Sequence, residues 1–150
     1  MTPEQLALFK SLAPAQILAL CMKEKAGGEP IEGKVAVGCV IRNRTYKGQR
    51  FGGWEYGEVI LKPKAFSCFN DGTASLQRLI AMAQVQVTQW DHDPVLFECF
   101  YLAKGIVKNI IRDNTKGADH YYNPALCNPS WAKEMTETAV IGGHRFLKSK

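Results

Sequence analysis

The sequence predicts an α+β domain, mostly helical, with a small β-hairpin or sheet near its C-terminal end. Three observations lead there. Apolar residues recur at helical spacing through most of the first 107 positions, proline and glycine punctuate that pattern at plausible helix ends, and the last third turns β-prone and turn-rich. With 150 residues, 46% of them hydrophobic, the chain has enough apolar material for one compact domain spanning 1–150.

The elements follow in order. Thr2-Pro3-Glu4-Gln5 reads as a helix start, with Thr2 as N-cap, Pro3 at the first helical position and Gln5 closing a capping box. This short helix carries Leu6 and Phe9 toward Leu12. Pro14 opens a second helix with Ile17, Leu18, Cys21 and Met22 on one face. Gly27-Gly28 ends it, because glycine supplies the backbone angles that a helix C-terminus needs. Pro30 starts a third helix to about Arg44, whose Gly33, Ala36, Val37 and Val40 form a smooth face for close packing. Residues 45–57, rich in glycine and carrying Trp54, read as a surface loop. After the Asp71-Gly72 turn signal, Leu76, Leu79, Ile80, Ala83, Val87 and Trp90 set a helix over 74–90. After a break at Asp91 to Pro94, a further helix runs through Leu96, Cys99, Phe100, Ala103 and Val107. The segments "ADHYYNPALCNPSW" and "TAVIGGHRFLK" then supply the β element.

Charge and cysteine usage narrow the function classes. The net charge of +5 favours an anionic partner such as nucleic acid, an acidic membrane surface or a cell-wall polymer. No run of five or more Lys/Arg occurs, which argues against a nucleic-acid arm, so no nucleic-acid partner is expected. No stretch approaches the 18 apolar residues of a membrane span. The N-terminus lacks the basic and apolar regions of a signal peptide, so synthesis in the cytoplasm is expected. Cys21, Cys39, Cys68, Cys99 and Cys127 are odd in number and contain no CxxC pair. They read as reduced, buried thiols. Cys68 has no Cys/His signature to make it a nucleophile. The separation of His92, His120 and His144 offers no metal-ligand spacing, and no nucleotide-binding or serine-hydrolase motif occurs. Neither metal nor cofactor is expected.

Two clusters carry chemistry. In "CMKEKAGGEPIEGKVAVGCVIRNR" the acids Glu24, Glu29 and Glu32 surround Lys25 and two glycines that let a substrate approach the backbone. In His120-Tyr121-Tyr122-Asn123-Pro124, aromatic faces and polar donors suit a sugar, stacking on pyranose rings and pairing with N-acetyl groups. The same segment equally suits a locally packed turn.

Four segments in order, "AGGEPIEGKVAVGCVIRNR", "VILKPKAFSCFNDG", "DNTKGADHYYNP" and "IGGHRFLK", resemble the SleB-type cell-wall hydrolases of spore-cortex-lytic enzymes and phage lytic domains. The resemblance covers about residues 17–147. It implies a lysozyme-like, lytic transglycosylase-like fold. The implied activity is cleavage of peptidoglycan glycan strands between N-acetylmuramic acid and N-acetylglucosamine by one carboxylic acid acting as acid and base. Together with the lack of a signal peptide, this leads to the expectation of a monomer working on the bacterial wall, as a phage endolysin or a virion-associated domain. By the family's Glu-Ala-x-Gly-Glu pattern the acid position falls on Lys25, and Glu29 matches the second glutamate. Three readings stand open. Glu24 serves through a one-residue shift, although adjacent helical positions point about 100° apart. Alternatively Lys25, natural or introduced, leaves an inactive glycan-binding or virion-associated protein. In the third, Glu29 or another group has taken over. Glu29 otherwise reads as a charge at a helix start, and Glu32 as solvated. Phe66, Ser67, His120, Tyr121, Tyr122 and Asn123 are the substrate-binding candidates, with Ser67 as readily making a local turn bond.

Overall fold

The computed structural model describes residues 1–150. Six α-helices, α1 (Pro3–Lys10), α2 (Pro14–Ala26), α3 (Ile31–Lys47), α4 (Tyr56–Leu61), α5 (Ala74–Gln84) and α6 (Pro94–Val107), precede a three-stranded sheet. Its strands are β1 (His120–Tyr122), β2 (Thr136–Ile141) and β3 (His144–Lys148), antiparallel in the order β1-β3-β2. The expected class, the start of α1 and the course of α6 to Val107 agree with this architecture, while α1 stops at Lys10, short of Leu12.

Local chemistry explains most element ends. The Thr2 hydroxyl accepts the Gln5 amide at 3.1 Å and Gln5 Oε1 accepts the Thr2 amide at 3.0 Å, closing the capping box. Thr73 caps α5 through the Leu76 amide, and Asp93 caps α6 through the Leu96 amide. Asp93 also takes Lys23 at 2.8 Å, tying the start of α6 to α2.

The helices α2, α3 and α6 form the centre of the body. Ile17, Leu18, Leu20, Cys21 and Met22 of α2 are buried against Val37, Val40 and Ile41 of α3 and Leu96, Cys99, Ala103 and Ile106 of α6, within one cluster of 27 buried residues. Phe9 meets Phe69 edge-on at 5.2 Å between ring centres and joins α1 to this core.

Gly27 ends α2 as expected, in the ordinary helical region at φ −60°. The expected packing face of α3 is buried at Ala36, Val37 and Val40, and a close approach falls on Gly38, where a Cβ would lie 2.5 Å from Ile106 Cδ1 and 3.0 Å from Met22 Sδ; at Gly33 the neighbour is Glu29. Other expectations are corrected. The anticipated loop over 45–57 contains the end of α3, a 3-10 turn over Gly48–Phe51 and the start of α4. Trp54 covers Gly48, whose φ of +61° and 2.2 Å clearance to the indole exclude any larger residue. The expected 74–90 helix breaks at Val85, which is extended, and a 3-10 turn over Val87–His92 folds Trp90 back into the core. There the Trp90 indole donates to the Met82 carbonyl at 3.3 Å. Four cysteines are buried free thiols as expected, and Cys127 is exposed.

The sheet buries mainly its central strand. His144, Phe146 and Leu147 of β3 are buried, and Arg145 and Lys148 face out. β1 pairs Tyr121 with Phe146, and β2 pairs Ile141 with His144. The register slips between Glu137 and Ala139, where the Thr138 hydroxyl donates to the Thr115 carbonyl at 2.6 Å.

Candidate functional site

Between the end of α2, the 62–67 segment and the sheet lies an open cleft of about 1330 Å³. It brings together all nine residues singled out in the sequence: Glu24, Lys25, Glu29, Phe66, Ser67, His120, Tyr121, Tyr122 and Asn123. Glu32 stands apart, exposed in the first turn of α3.

The helical wall presents Lys25, whose Nζ donates to Ser67 Oγ at 3.2 Å. Ser67 therefore bonds across the cleft, 42 residues away in sequence, and not within a local turn. Glu24, one position earlier, has a side chain only 8% exposed and is held by Arg78 of α5 at 2.8 Å. The 100° step between adjacent helical residues thus separates the two: Lys25 meets the 62–67 segment and Glu24 meets α5.

Glu29, just before α3, reaches the β2–β3 turn. Its Oε1 accepts the Gly143 amide at 2.7 Å, and His144 Nδ1 stands 2.9 Å away without the alignment of a hydrogen bond. Gly142 and Gly143 make this approach possible. Gly142 has φ +57°, and a Cβ there would come within 2.9 Å of Glu29 Oε1.

The sheet wall is organised from beneath by Asp119, which is fully buried. Its carboxylate accepts the Ser149 amide and hydroxyl, the Lys47 ammonium, and His120 Nδ1 at 2.8 Å. Burial alone would push this carboxyl up; the donors from His120, Lys47 and Ser149 outweigh it and hold the group well below the usual carboxylate range. Because a carboxylate only accepts, His120 carries its proton on Nδ1, leaving Nε2 without a protein partner. Burial lowers the His120 pKa against the pull of Asp119. Phe51 at 5.8 Å and Trp131 at 5.1 Å hold the ring in place.

Among the remaining candidates, Tyr121 is stacked on Phe146 at 5.8 Å and packed edge-on against His144 at 5.2 Å, and burial pushes its phenol far up. Tyr122 meets Trp131 edge-on at 5.9 Å. Asn123 spends its Oδ1 on the Ala125 amide, a turn bond, and keeps Nδ2 free for a ligand. Phe66 is 4% exposed and lies under the Arg44 guanidinium at 5.4 Å, so it supports Arg44 and offers no open stacking face.

Sequence reasoning missed Asp119, Arg44 and Trp131. The adjacent Asp119-His120 pair was the one available signal. Arg44 Nε bonds the Asp119 carbonyl at 2.8 Å, and Trp131 reaches His120 and Tyr122 from a 3-10 turn over Ser130–Glu134. Both depend on contacts that no local pattern announces.

Comparison with known proteins gives these residues a family. A model of the Cell Wall Hydrolase family matches residues 28–147, a range that includes Glu29 and begins three positions after Lys25. Two spore cortex-lytic enzymes, both from Bacillus cereus, are 30% identical over 135 residues, 89% of this chain. The chain spans 43% of the length of these curated relatives. Among solved structures, the catalytic domain of the germination-specific lytic transglycosylase SleB from Bacillus anthracis superposes with a TM-score of 0.67. It is 24% identical, with 92% of this chain and 98% of that one covered. The catalytic domain of the Bacillus cereus SleB protein gives 0.61 at 26% identity, covering 90% and 89%. The fold is thus the lysozyme-like one expected of a lytic transglycosylase, and the chain belongs to the Cell Wall Hydrolase family.

Proposed function

We propose that the cleft holds a peptidoglycan glycan strand in the manner of a lytic transglycosylase, and that Lys25 leaves this chain a strand-binding domain without its acid. The observation that carries this reading is the disposition of three side chains between the end of α2 and the start of α3. Glu24 is held by Arg78, Glu29 is held by the Gly143 amide, and the group presented across the cleft to Ser67 is an ammonium.

The chemistry explains the consequence. Cleavage between N-acetylmuramic acid and N-acetylglucosamine requires a proton on the glycosidic oxygen as the C1–O bond breaks. A carboxylic acid raised toward neutrality, about pH 6–7, supplies it. The muramic C6 hydroxyl then bonds to C1, its proton returns to the carboxylate, and a 1,6-anhydro sugar forms without water. A lysine ammonium, with an ordinary pKa of about 10.4, is a much weaker acid and cannot take up the second role while protonated. Its positive charge also opposes the oxocarbenium character that develops at C1.

The sheet wall supplies recognition. Tyr122 and Trp131 offer ring surface to a pyranose face, Asn123 Nδ2 donates to a hydroxyl or N-acetyl oxygen, and His120 Nε2 accepts from one. Work on the bacterial wall by a monomer, as an endolysin or virion-associated domain, accords with the net charge of +5. A second reading has one observation in its favour: Glu29 lines the cleft and its Oε2 has no protein partner, which would suit a replacement acid.

Sedimentation with purified sacculi tests the first part. The chain is expected to pellet with them, and Tyr122→Ala with Trp131→Ala is expected to reduce the bound fraction. A chain that stays in the supernatant at every concentration would refute the glycan reading.

A further inference from the structure

Charge is distributed unevenly around the cleft. Lys25, Arg44, Arg50, Lys62 and Lys64 line it, and none has a carboxylate partner. Their recorded contacts are neutral: Lys25 to a serine hydroxyl, Arg44 to the Asp119 carbonyl, Arg50 to the Ser149 hydroxyl at 2.6 Å, Lys62 to the Arg50 carbonyl at 3.3 Å. Lys23, a sixth cation on the rim, is neutralised by Asp93. The only acids lining the cleft are Glu24 and Glu29, and both are engaged by donors of this chain.

The cationic wall is also braced. Arg44 and Arg50 lie over the Phe51 ring at 5.1 and 5.3 Å, so two guanidiniums are fixed at one side of the cleft. Lys64 adopts φ +66° after Pro63, a backbone that turns this short segment and its lysines along the same rim. An uncharged sugar chain has no use for such an arrangement. Repulsion among the cations is relieved when a ligand brings negative charge between them.

We infer that the cleft selects glycan strands bearing free carboxylates, bound along the wall formed by Arg44, Arg50, Lys62 and Lys64. This rests on the glycan-strand reading of the cleft and adds the charge class of the strand. Two groups of a muramyl strand have this chemistry, the lactyl carboxylate on the sugar and the carboxylates of an attached peptide.

The test measures binding of labelled strands of equal length to the wild-type chain and to a Lys62→Gln/Lys64→Gln double variant, at low and high salt. The ligands are an uncharged N-acetylglucosamine oligomer, a peptide-free muramyl strand, a peptide-bearing strand, and the last with its peptide carboxylates amidated. Carboxylate-bearing strands are expected to bind about tenfold more tightly than the uncharged oligomer at low salt, an advantage that the double variant reduces about threefold and high salt largely removes. Loss on amidation assigns the effect to the peptide, and retention by the peptide-free strand assigns it to the lactyl group. Both lysines are solvent-exposed, and an unchanged melting temperature certifies the fold of the variant. Equal binding of charged and uncharged strands, insensitive to salt and to the variant, would overturn the charge inference and leave the glycan reading intact. If no strand binds, the glycan reading itself fails.

Discussion

The two walls of the cleft are held by different physics. The helical wall rests on dry packing: α2 buries Ile17, Leu18, Leu20, Cys21 and Met22, and its end projects Lys25 and Glu24 by helical geometry alone. The sheet wall rests on polar bonds. Asp119 gathers Lys47, His120 and Ser149, and Glu29 grips the β2–β3 turn. Packing is indifferent to pH and tolerant of position along a face, whereas a buried carboxylate is sensitive to protonation and demands particular partners. The walls should therefore fail under different insults.

The largest effect is expected at the helical wall. Leu18→Ala, at a fully buried site, should destabilise by about 2–5 kcal/mol in denaturant unfolding, with an unchanged pH profile. Asp119→Ala should come next, at about 3 kcal/mol, because it leaves Lys47 and the Ser149 donors facing an empty buried position.

The pH profile sharpens the contrast. Asp119 and Asp113 both lie below the ordinary value of 3.8. In each case burial pushes up and hydrogen bonds outweigh it, for Asp113 those from Thr115, Asn43 and Gly117. A depressed carboxyl contributes stability above its unfolded pKa and loses it as pH falls through that value toward the folded one. Stability should thus fall below about pH 4, and Asp119→Ala should flatten that branch where Leu18→Ala does not.

Smaller effects should distinguish the two glutamates. Glu29→Gln should cost about 1 kcal/mol and speed hydrogen exchange at Gly143, whose amide it holds. Glu24→Gln should cost less than about 1 kcal/mol, since its Arg78 partner is largely exposed, and should leave exchange at Gly143 unchanged.

The same division governs what was legible in the sequence. Helical periodicity and caps placed α1, α2 and α6, because each signal acts within a few residues of its effect. The family resemblance collected the cleft residues from both walls. What escaped was long-range polar order: Asp119 bonds Lys47 from 72 residues away, and Arg44 reaches the Asp119 carbonyl across 75. The break at Val85 escaped for a similar reason. The apolar spacing continued to Trp90, yet the indole reaches the core by folding back onto the Met82 carbonyl.

Release of anhydromuropeptides from sacculi, followed by mass spectrometry, tests the central claim about Lys25 most directly. The wild-type chain should release none, and Lys25→Glu should release them. Release by the wild-type chain, abolished by Glu29→Gln or Glu24→Gln, would contradict the account and assign the acid to that glutamate.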